Sequence, residues 1–455
     1  MANTYLTRTP SSASNRKTWT WSAWVKRSSL STGNQVLFES KDSSGFVEKL
    51  QFTSSDRLEY DHDISGTDYT IYSDFRCRDT SGWYHIVFAK DTTQATETNR
   101  LKIYVNGSQI AMTEEALGYP PQNYDGLINY NVAHYVGANS TSEYFDGSMS
   151  HVHFIDGTAL TPSAFGETDS TTGEWKINTS PSVTYGTNGF FILKDGNSVT
   201  DQSGEGNNFT VGGGTLTKTE DNPSNVFATA NAIDNYYQNF SFTNGNTAFT
   251  TNSSSNTSAP IKSTIGINSG KYYWEVKCVG VNTGSFTYGT VGITSRDITT
   301  NAQGNHLGSQ NEDYTYYSFN GHILNNSGTS NTGTAYGNTY TTGDIISVAL
   351  DLDNNKLYFS KNGTWQNSGD PTSGSTGTGA VSIALPTANN GKGNYFTGVG
   401  DYHFSPIYSF AMNFGNGYFG TTAVSSAGTN ASGIGIFEYD VPTGYTALST
   451  KGLNL

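Results

Sequence analysis

The chain has 455 residues and a formal net charge of −14, with only 14% of its residues charged. That acidity disfavours nucleic acid and anionic membrane surfaces, which select basic patches, and no apolar run approaches the ~18–20 residues of a membrane span. Hydrophobic residues are 34% of the chain, but 29 Tyr and 24 Phe are unlike a disordered composition. With 51 Gly to supply turns, an all-β chain of short strands is expected.

The start, Met1-Ala2-Asn3-Thr4, lacks a basic-then-apolar signal pattern, so synthesis in a cytoplasm is expected, with action elsewhere after release left open. In the first strand, period-2 alternation puts Trp19, Trp21, Ala23 and Val25 on one face, with Thr20, Ser22, Trp24 and Lys26 on the other. Further strands are read at 82–89, nearly apolar on both sides, at 101–105 before an Asn106-Gly107 turn, and at 145–154. Thr161-Pro162-Ser163-Ala164 reads as one helical turn with Thr as N-cap. Residues 212–214 are three glycines and 221–223 are Asp-Asn-Pro, which marks a domain boundary. Beyond it, Trp274, Val276 and Cys278 share a strand face opposite Glu275 and Lys277. Segments follow at 290–293 and 316–321. Then comes a hairpin in which Ile345–Leu350 and Lys356–Ser360 flank Asp353-Asn354-Asn355, with Leu357 and Phe359 on one face and Tyr358 on the other. Asn362-Gly363 is a second tight-turn signal, and a closing strand runs from Pro406 to Gly415. Cys77 and Cys278 fall in different domains and are expected as two separate buried thiols.

These strings carry two resemblances. The segments at 19–27, 82–88, 101–107 and 145–154 resemble, in order, the laminin-G / concanavalin A-like lectin family over residues 5–166. The segments at 269–276, 291–293, 317–321, 343–363 and 413–415 resemble SPRY signatures over residues 240–420. Together they imply two tandem jelly-roll β-sandwiches: residues 1–220, 221–425, and a C-terminal extension at 426–455. The lectin family's opening turn is displaced. A similar piece lies at 189–195 and 201–210, within a returning hairpin at 185–216. It either completes the first sandwich or forms a hairpin between the domains, with the first half of the molecule favoured. The closing segment 435–448, and the join from 161–176 into 185–195, resemble tailed-phage structural proteins that carry SPRY modules. That layout implies a virion surface protein: a tail fibre, tail appendage or head decoration.

The chemistry of catalysis was sought along the strands. A glycosidase needs two carboxylates across the scissile bond, and on a strand these would alternate as Glu-x-Asp-x-Glu or a near relative. The expectation is that no strand carries such a set, that Glu275 is an ordinary outward residue, and that Asp351 and Asp353 serve a turn. No nucleophile elbow, Walker loop or zinc-type spacing is found. His151 and His153 are expected on a solvent-facing side. Asp61-His62-Asp63 reads as a polar loop; calcium there is conceivable on ligand chemistry alone, and no cofactor is expected. The candidate binding residues are aromatic and placed in loops: Tyr130, His134 and Tyr144, with Tyr135 beside them, in the first domain, and Tyr314, Tyr316 and Tyr317 in the second, because tyrosine suits both sugar stacking and protein interfaces. The resulting expectation is a non-enzymatic binder of host-surface glycan or receptor, or of other virion proteins, without nucleic acid or membrane insertion, working as a homo-oligomer or multi-copy array. A purely structural decoration protein and a carbohydrate-active enzyme are the alternatives.

Overall fold

The computed structural model describes residues 3–194, 198–234, 240–251, 258–282, 288–297, 306–327, 333–386, 393–402 and 407–455; the turn residue Asp195 and the start of the closing strand at Pro406 lie outside them. Strands take 44% of the residues and short helical turns 4%, so the all-β reading stands. The chain divides into two compact units, Met1–Lys218 and Thr219–Leu455.

In the first unit an eight-stranded antiparallel sheet runs Met112–Ala116, Thr67–Arg76, Arg57–Ile64, Val47–Phe52, Gln35–Lys41, Ala133–Val136, Tyr5–Arg8, Thr210–Gly213. A six-stranded sheet runs Phe190–Ile192, Gly147–Asp156, Thr18–Arg27, Tyr84–Asp91, Leu101–Val105, Ser108–Gln109. The returning segment thus adds one edge strand to each sheet, and the Gly212-Gly213 pair lies in one of those strands. Trp19, Trp21, Ala23 and Val25 point into the shared core with Phe38, Leu50, Ile86 and Ile103, as the alternation requires. Inside that core Lys90 Nζ lies 2.5 Å from Glu48 Oε1. The Tyr60 hydroxyl and the Ile128 amide also donate to the Glu48 carboxylate, at 2.7 and 2.6 Å. Burial alone would raise the Glu48 carboxyl, but the Lys90 charge and these donors hold it down at about 2.

Trp24, on the opposite face as the alternation places it, is buried as well, because residues 160–185 cover the second face of the six-stranded sheet and pack Phe165 and Tyr185 against Val87, Ile155 and Phe191. Three first-unit expectations change. His151 and His153 are buried too. A register shift between Ser150 and His153, with His151 at φ 51°, breaks the period-2 rule, and His153 stacks on Phe191 at 4.0 Å. Asp61-His62-Asp63 is strand, not loop: His62 faces the core and is buried, which pulls its imidazole down to about 4, while Asp61 and Asp63 point outward. In the helical turn at Pro162–Ala164, Thr161 makes no side-chain cap.

The second unit repeats the two-sheet plan. One sheet runs Phe240–Thr243, Ala248–Thr251, Tyr408–Asn413, Lys271–Val281, Ile345–Asp351, Lys356–Lys361, Thr364–Trp365. The other runs Pro260–Ile267, Tyr395–Asp401, Gly289–Thr294, Asp313–Tyr317, His322–Leu324, Thr334–Ala335. The two Asn-Gly turns are the same device in both units. Asn106 and Gly107 have φ of 47° and 82°, Asn362 and Gly363 have 49° and 79°, and each closes a two-residue hairpin whose twist matches its strands. Asp351 is buried, receives the Asn354 amide at 2.9 Å and pairs with Lys271, so it holds the hairpin turn. Residues 426–455, set apart in the sequence reading, belong to this unit: Thr446–Ala447 pairs in parallel with Lys271–Val281, and Phe437, Val441, Tyr445 and Leu448 join the core.

Glu275 is the clearest departure. It is fully buried, because the C-terminal segment lies over the outer face of its sheet. Its carboxylate receives the Tyr273 hydroxyl at 3.0 Å, the Asn413 amide at 3.1 Å, and the backbone amides of Glu438 and Tyr439 at 2.9 Å each. Burial pushes the carboxyl up to about 7, and the four donors oppose that rise. Cys77 and Cys278 are buried and unbridged. Trp274 is fully buried in the core, so Trp274→Ala is expected to cost about 3–5 kcal/mol. Guanidinium denaturation followed by circular dichroism reads this; a cost below ~1 kcal/mol, the range of most surface substitutions, would refute the core placement.

Candidate functional site

The second unit opens a cleft of about 490 Å³ between the edges of its two sheets. Its floor is aromatic. Tyr314 comes from Asp313–Tyr317, and Tyr336 follows the edge strand Thr334–Ala335. Both rings are pinned through their hydroxyls, which accept the Ala384 amide at 3.0 Å and the Phe359 amide at 3.2 Å. The Tyr395 hydroxyl donates to the Ala384 carbonyl at 2.6 Å, so one loop position is held from two strands. The walls are Asn325, Asn326, Ser327, Thr334, Asn367 and Ser382, with Val381 and Ile323 between them. Asn325 is fixed by donating to the Asp313 carbonyl at 2.7 Å. Asn326 and Asn367 sit at φ 51° and 54°, left-handed conformations that asparagine tolerates. Among the described residues that line it, none carries a formal charge. The site therefore offers an apolar floor and a neutral amide and hydroxyl rim. That chemistry suits an extended peptide or a sugar face, and it has no group able to act as a strong acid, base or nucleophile.

Of the expected site residues, this cleft uses only Tyr314. Tyr316 and Tyr317 are strand residues and fully buried: Tyr316 sits in the core and Tyr317 packs with Leu324 and Tyr402. The polar loop at 308–313 precedes them, but the alternating rings are drawn inward because each side of this strand meets apolar neighbours. In the first unit His134 is buried. Its Nε2 accepts the Asn129 amide at 3.0 Å, which leaves Nδ1 to donate to the Val132 carbonyl at 2.8 Å, and burial drops it to about 4. Tyr130 lies under the Arg16 guanidinium, 4.3 Å from its ring centre. Tyr144 stays partly exposed, 6.2 Å from the Tyr5 ring, which in turn lies 6.1 Å from Tyr135. Within neither unit does the structure gather these candidates into one exposed site.

What the sequence reading missed is a set of outward carboxylates. Glu59, Asp61 and Asp63 alternate along Arg57–Ile64, a near relative of the string sought and judged absent. Strand register adds Glu39 to the same face, two strands away. The period-2 rule applied to residues 57–64 was the signal that would have found them. Most are already engaged. Lys49 Nζ lies 3.2 Å from Asp61 and 3.6 Å from Glu143, and the Gln51 amide donates to Glu59. Among the described residues no cluster of metal-ligating side chains forms, and no helix is long and apolar enough to cross a membrane.

Both units have the geometry of two-sheet sandwiches. Residues 2–165 match the model of the concanavalin A-like lectin/glucanases superfamily, and residues 271–385 match the SPRY domain model. The chain thus carries a concanavalin A-like domain followed by a SPRY domain. Among individual proteins, it is 36% identical over 104 residues to Ran-binding protein 10 of Danio rerio, spanning 23% of this chain and 15% of that one. It is 36% identical over 104 residues to Ran-binding protein 9 of Homo sapiens, spanning 23% of this chain and 13% of that one. The chain therefore spans only 13–15% of the length of these relatives. Among solved structures, the SPRY domain of human HERC1 is 17% identical with a TM-score of 0.29, covering 40% of this chain and 96% of that one.

Glu39 gives a pH test of the outward face. Burial pushes its carboxyl up to about 8 from an ordinary 4.5, with Glu143 and Asp61 adding to the rise and Lys41 and Lys49 opposing it. A folded pKa above the unfolded one gives a contribution that is full below pH 4.5 and is lost as pH rises through about 8. Glu39→Gln is therefore expected to raise the melting temperature at pH 8.5 relative to the parent and to leave it nearly unchanged at pH 4.5. Equal shifts at both pH values would contradict the assignment.

Proposed function

We propose that this chain is a non-catalytic binding protein whose SPRY unit takes an extended protein segment in the cleft floored by Tyr314 and Tyr336. The observation that carries this reading is the cleft itself: rigid aromatic floor, uncharged hydrogen-bonding rim, and a two-residue edge strand, Thr334–Ala335, beside it. Edge strands accept added strands, while pockets beside them read side chains. The Ran-binding relatives match over 104 residues of the chain, and their name supports protein binding in general rather than any particular partner. The absence of charge in the cleft, and the engagement of Asp61, Glu143 and Glu59 by Lys49 and Gln51, favour binding without turnover.

The setting we propose is the surface of a tailed-phage particle, as tail fibre, appendage or head decoration. There the SPRY unit docks a neighbouring virion protein and the concanavalin A-like unit meets host-surface glycan. The layout of the join and of the closing segment supports this setting, and many copies on one particle would make weak sugar contacts effective through avidity.

The test is selection of random peptides by the immobilised full chain. Enriched peptides are expected to lose at least about tenfold in affinity on Thr334→Arg or Ser382→Arg, a factor set by about 1.4 kcal/mol, since both exposed residues line the cleft. Peptides indifferent to both changes, or no enrichment, would overturn the cleft reading. Incubation with host-surface polysaccharide is expected to release no reducing ends; release would overturn the non-catalytic reading. Electron microscopy of purified particles is expected to place the chain on the outer surface, and its absence from particles would overturn the setting.

A further inference from the structure

Six Asn-Gly pairs fall among the described residues: 106–107, 188–189, 244–245, 320–321, 362–363 and 416–417. Each carries latent chemistry. Glycine has no side chain to hinder its own backbone nitrogen, so that nitrogen can reach the Cγ of the preceding asparagine. Whether a pair reacts depends on how firmly the fold holds the two groups. Five of the six are held.

Asn106 and Asn362 are exposed, but their side-chain carbonyls accept the His85 and Ile345 amides, each at 2.8 Å. Asn362 also donates to Asp344 Oδ1 at 2.7 Å. Asn188 is buried, and its side-chain amide donates to the Ser12 carbonyl at 2.9 Å and to Asn129 Oδ1 at 2.8 Å. Asn320 Oδ1 accepts the His322 amide at 3.1 Å, and the Gly321 amide donates to the Tyr317 carbonyl at 3.0 Å. Asn416 Oδ1 accepts the Phe414 amide at 3.2 Å, and the Gly417 amide donates to Asn413 Oδ1 at 3.1 Å. Asn244 differs. It is exposed in the turn between Phe240–Thr243 and Ala248–Thr251. Among the described residues its side-chain carbonyl accepts nothing and the Gly245 amide donates to nothing. Its side chain is held only by donating to the neighbouring Thr243 hydroxyl at 3.2 Å. The same turn also activates the nitrogen. The Thr247 hydroxyl and amide donate to the Asn244 backbone carbonyl at 2.7 and 3.3 Å. That oxygen takes up the negative charge when the Gly245 nitrogen loses its proton, so both donors favour the reactive form.

We propose that Asn244-Gly245 is a self-modification site, at which the asparagine converts to aspartate and isoaspartate through a cyclic imide. The Gly245 nitrogen attacks Asn244 Cγ; the N–Cγ bond forms, the Cγ–Nδ2 bond breaks, and ammonia leaves carrying the amide proton. Water then opens the imide at either carbonyl, supplying the hydroxyl of the new carboxyl group. No oxidant, reductant or cofactor enters. The product places a carboxylate at the tip of the hairpin, and isoaspartate adds one carbon to the backbone of the turn. Phe240–Thr243 is the edge strand of its sheet, and it sets the Phe240 and Phe242 rings 5.9 and 6.2 Å from Phe249. Lengthening the turn shifts that register and loosens this edge. The site uses no residue of the cleft and is independent of the binding reading.

The experiment ages the full chain in mildly alkaline buffer, digests it, and follows the amide-to-acid mass gain in the peptides carrying all six pairs. Labelling by an isoaspartyl methyltransferase reports the isoaspartate share. Asn244 is expected to convert at least about tenfold faster than any of the other five, with isoaspartate among its products. In guanidinium the six rates are expected to converge, because the fold is what separates them. Thr247→Val, which deletes the hydroxyl donor, is expected to slow conversion at Asn244 severalfold with circular dichroism unchanged. Thr247→Ser, which keeps the hydroxyl, is expected to retain the parent rate and carries the comparison if the valine variant fails to fold. Equal rates in the folded chain, or a lead of Asn244 that persists in guanidinium, would overturn the proposal. So would a Thr247→Val rate equal to or above the parent's, since a purely structural loosening of the turn speeds the reaction rather than slowing it.

Discussion

In each unit one sheet's central strands carry large side chains on both faces, so that sheet needs a second cover besides its partner sheet. Trp24, His85 and His153 stand on the far side of the first unit's six-stranded sheet, and Tyr273, Glu275 and Tyr358 on the far side of the second unit's large sheet. A stack of two sheets buries only the inner faces. The outer groups would remain in water unless other chain segments returned over them. Residues 160–185 do this in the first unit, and residues 366–378 and 425–448 in the second.

The covers are held by polar contacts as much as by apolar ones. The Trp175 indole donates to His85 Nδ1 at 3.0 Å, which fixes His85 as the neutral tautomer donating from Nε2 to the Ser22 hydroxyl at 2.9 Å. In the second unit the amides of Glu438 and Tyr439 end on Glu275, Phe437 meets the Tyr273 ring edge to face at 5.0 Å, and the Tyr445 hydroxyl donates to the Pro371 carbonyl. Tightly covered faces leave less for a ligand. The uncovered places are the outer face of the eight-stranded sheet and the gap between sheet edges at Thr334–Ala335 and Val381–Ser382.

Much of the fold was legible because period-2 alternation and Asn-Gly turns are local. Trp19 through Val25, the Leu357 and Phe359 pair, and both hairpins are placed as their sequence implies. What was not legible depends on distant segments. Nothing within Lys271–Val281 says that residues 436–439 will cover Glu275, and nothing around His151 announces the bulge that turns it inward. The same blindness misplaced the binding tyrosines. Tyr316 and Tyr317 follow a polar loop, but both faces of their strand meet apolar partners far along the chain. Tyr336, Asn367 and Ser382 meet in one cleft only because two sheet edges converge. Glu59 and Asp61 were readable by alternation, whereas their company with Glu39 required the register of three strands.

The account rests on the returning segments being part of the folded sandwiches rather than loose appendages. Amide hydrogen exchange of the full chain, read at Glu438, Tyr439 and across residues 160–185, tests this directly. The account predicts protection at Glu438 and Tyr439 comparable to the central strand Lys271–Val281, and protection at Phe165 comparable to Tyr84–Asp91. Exchange of these amides at the rate of an unstructured tail, with the central strands still protected, would contradict it.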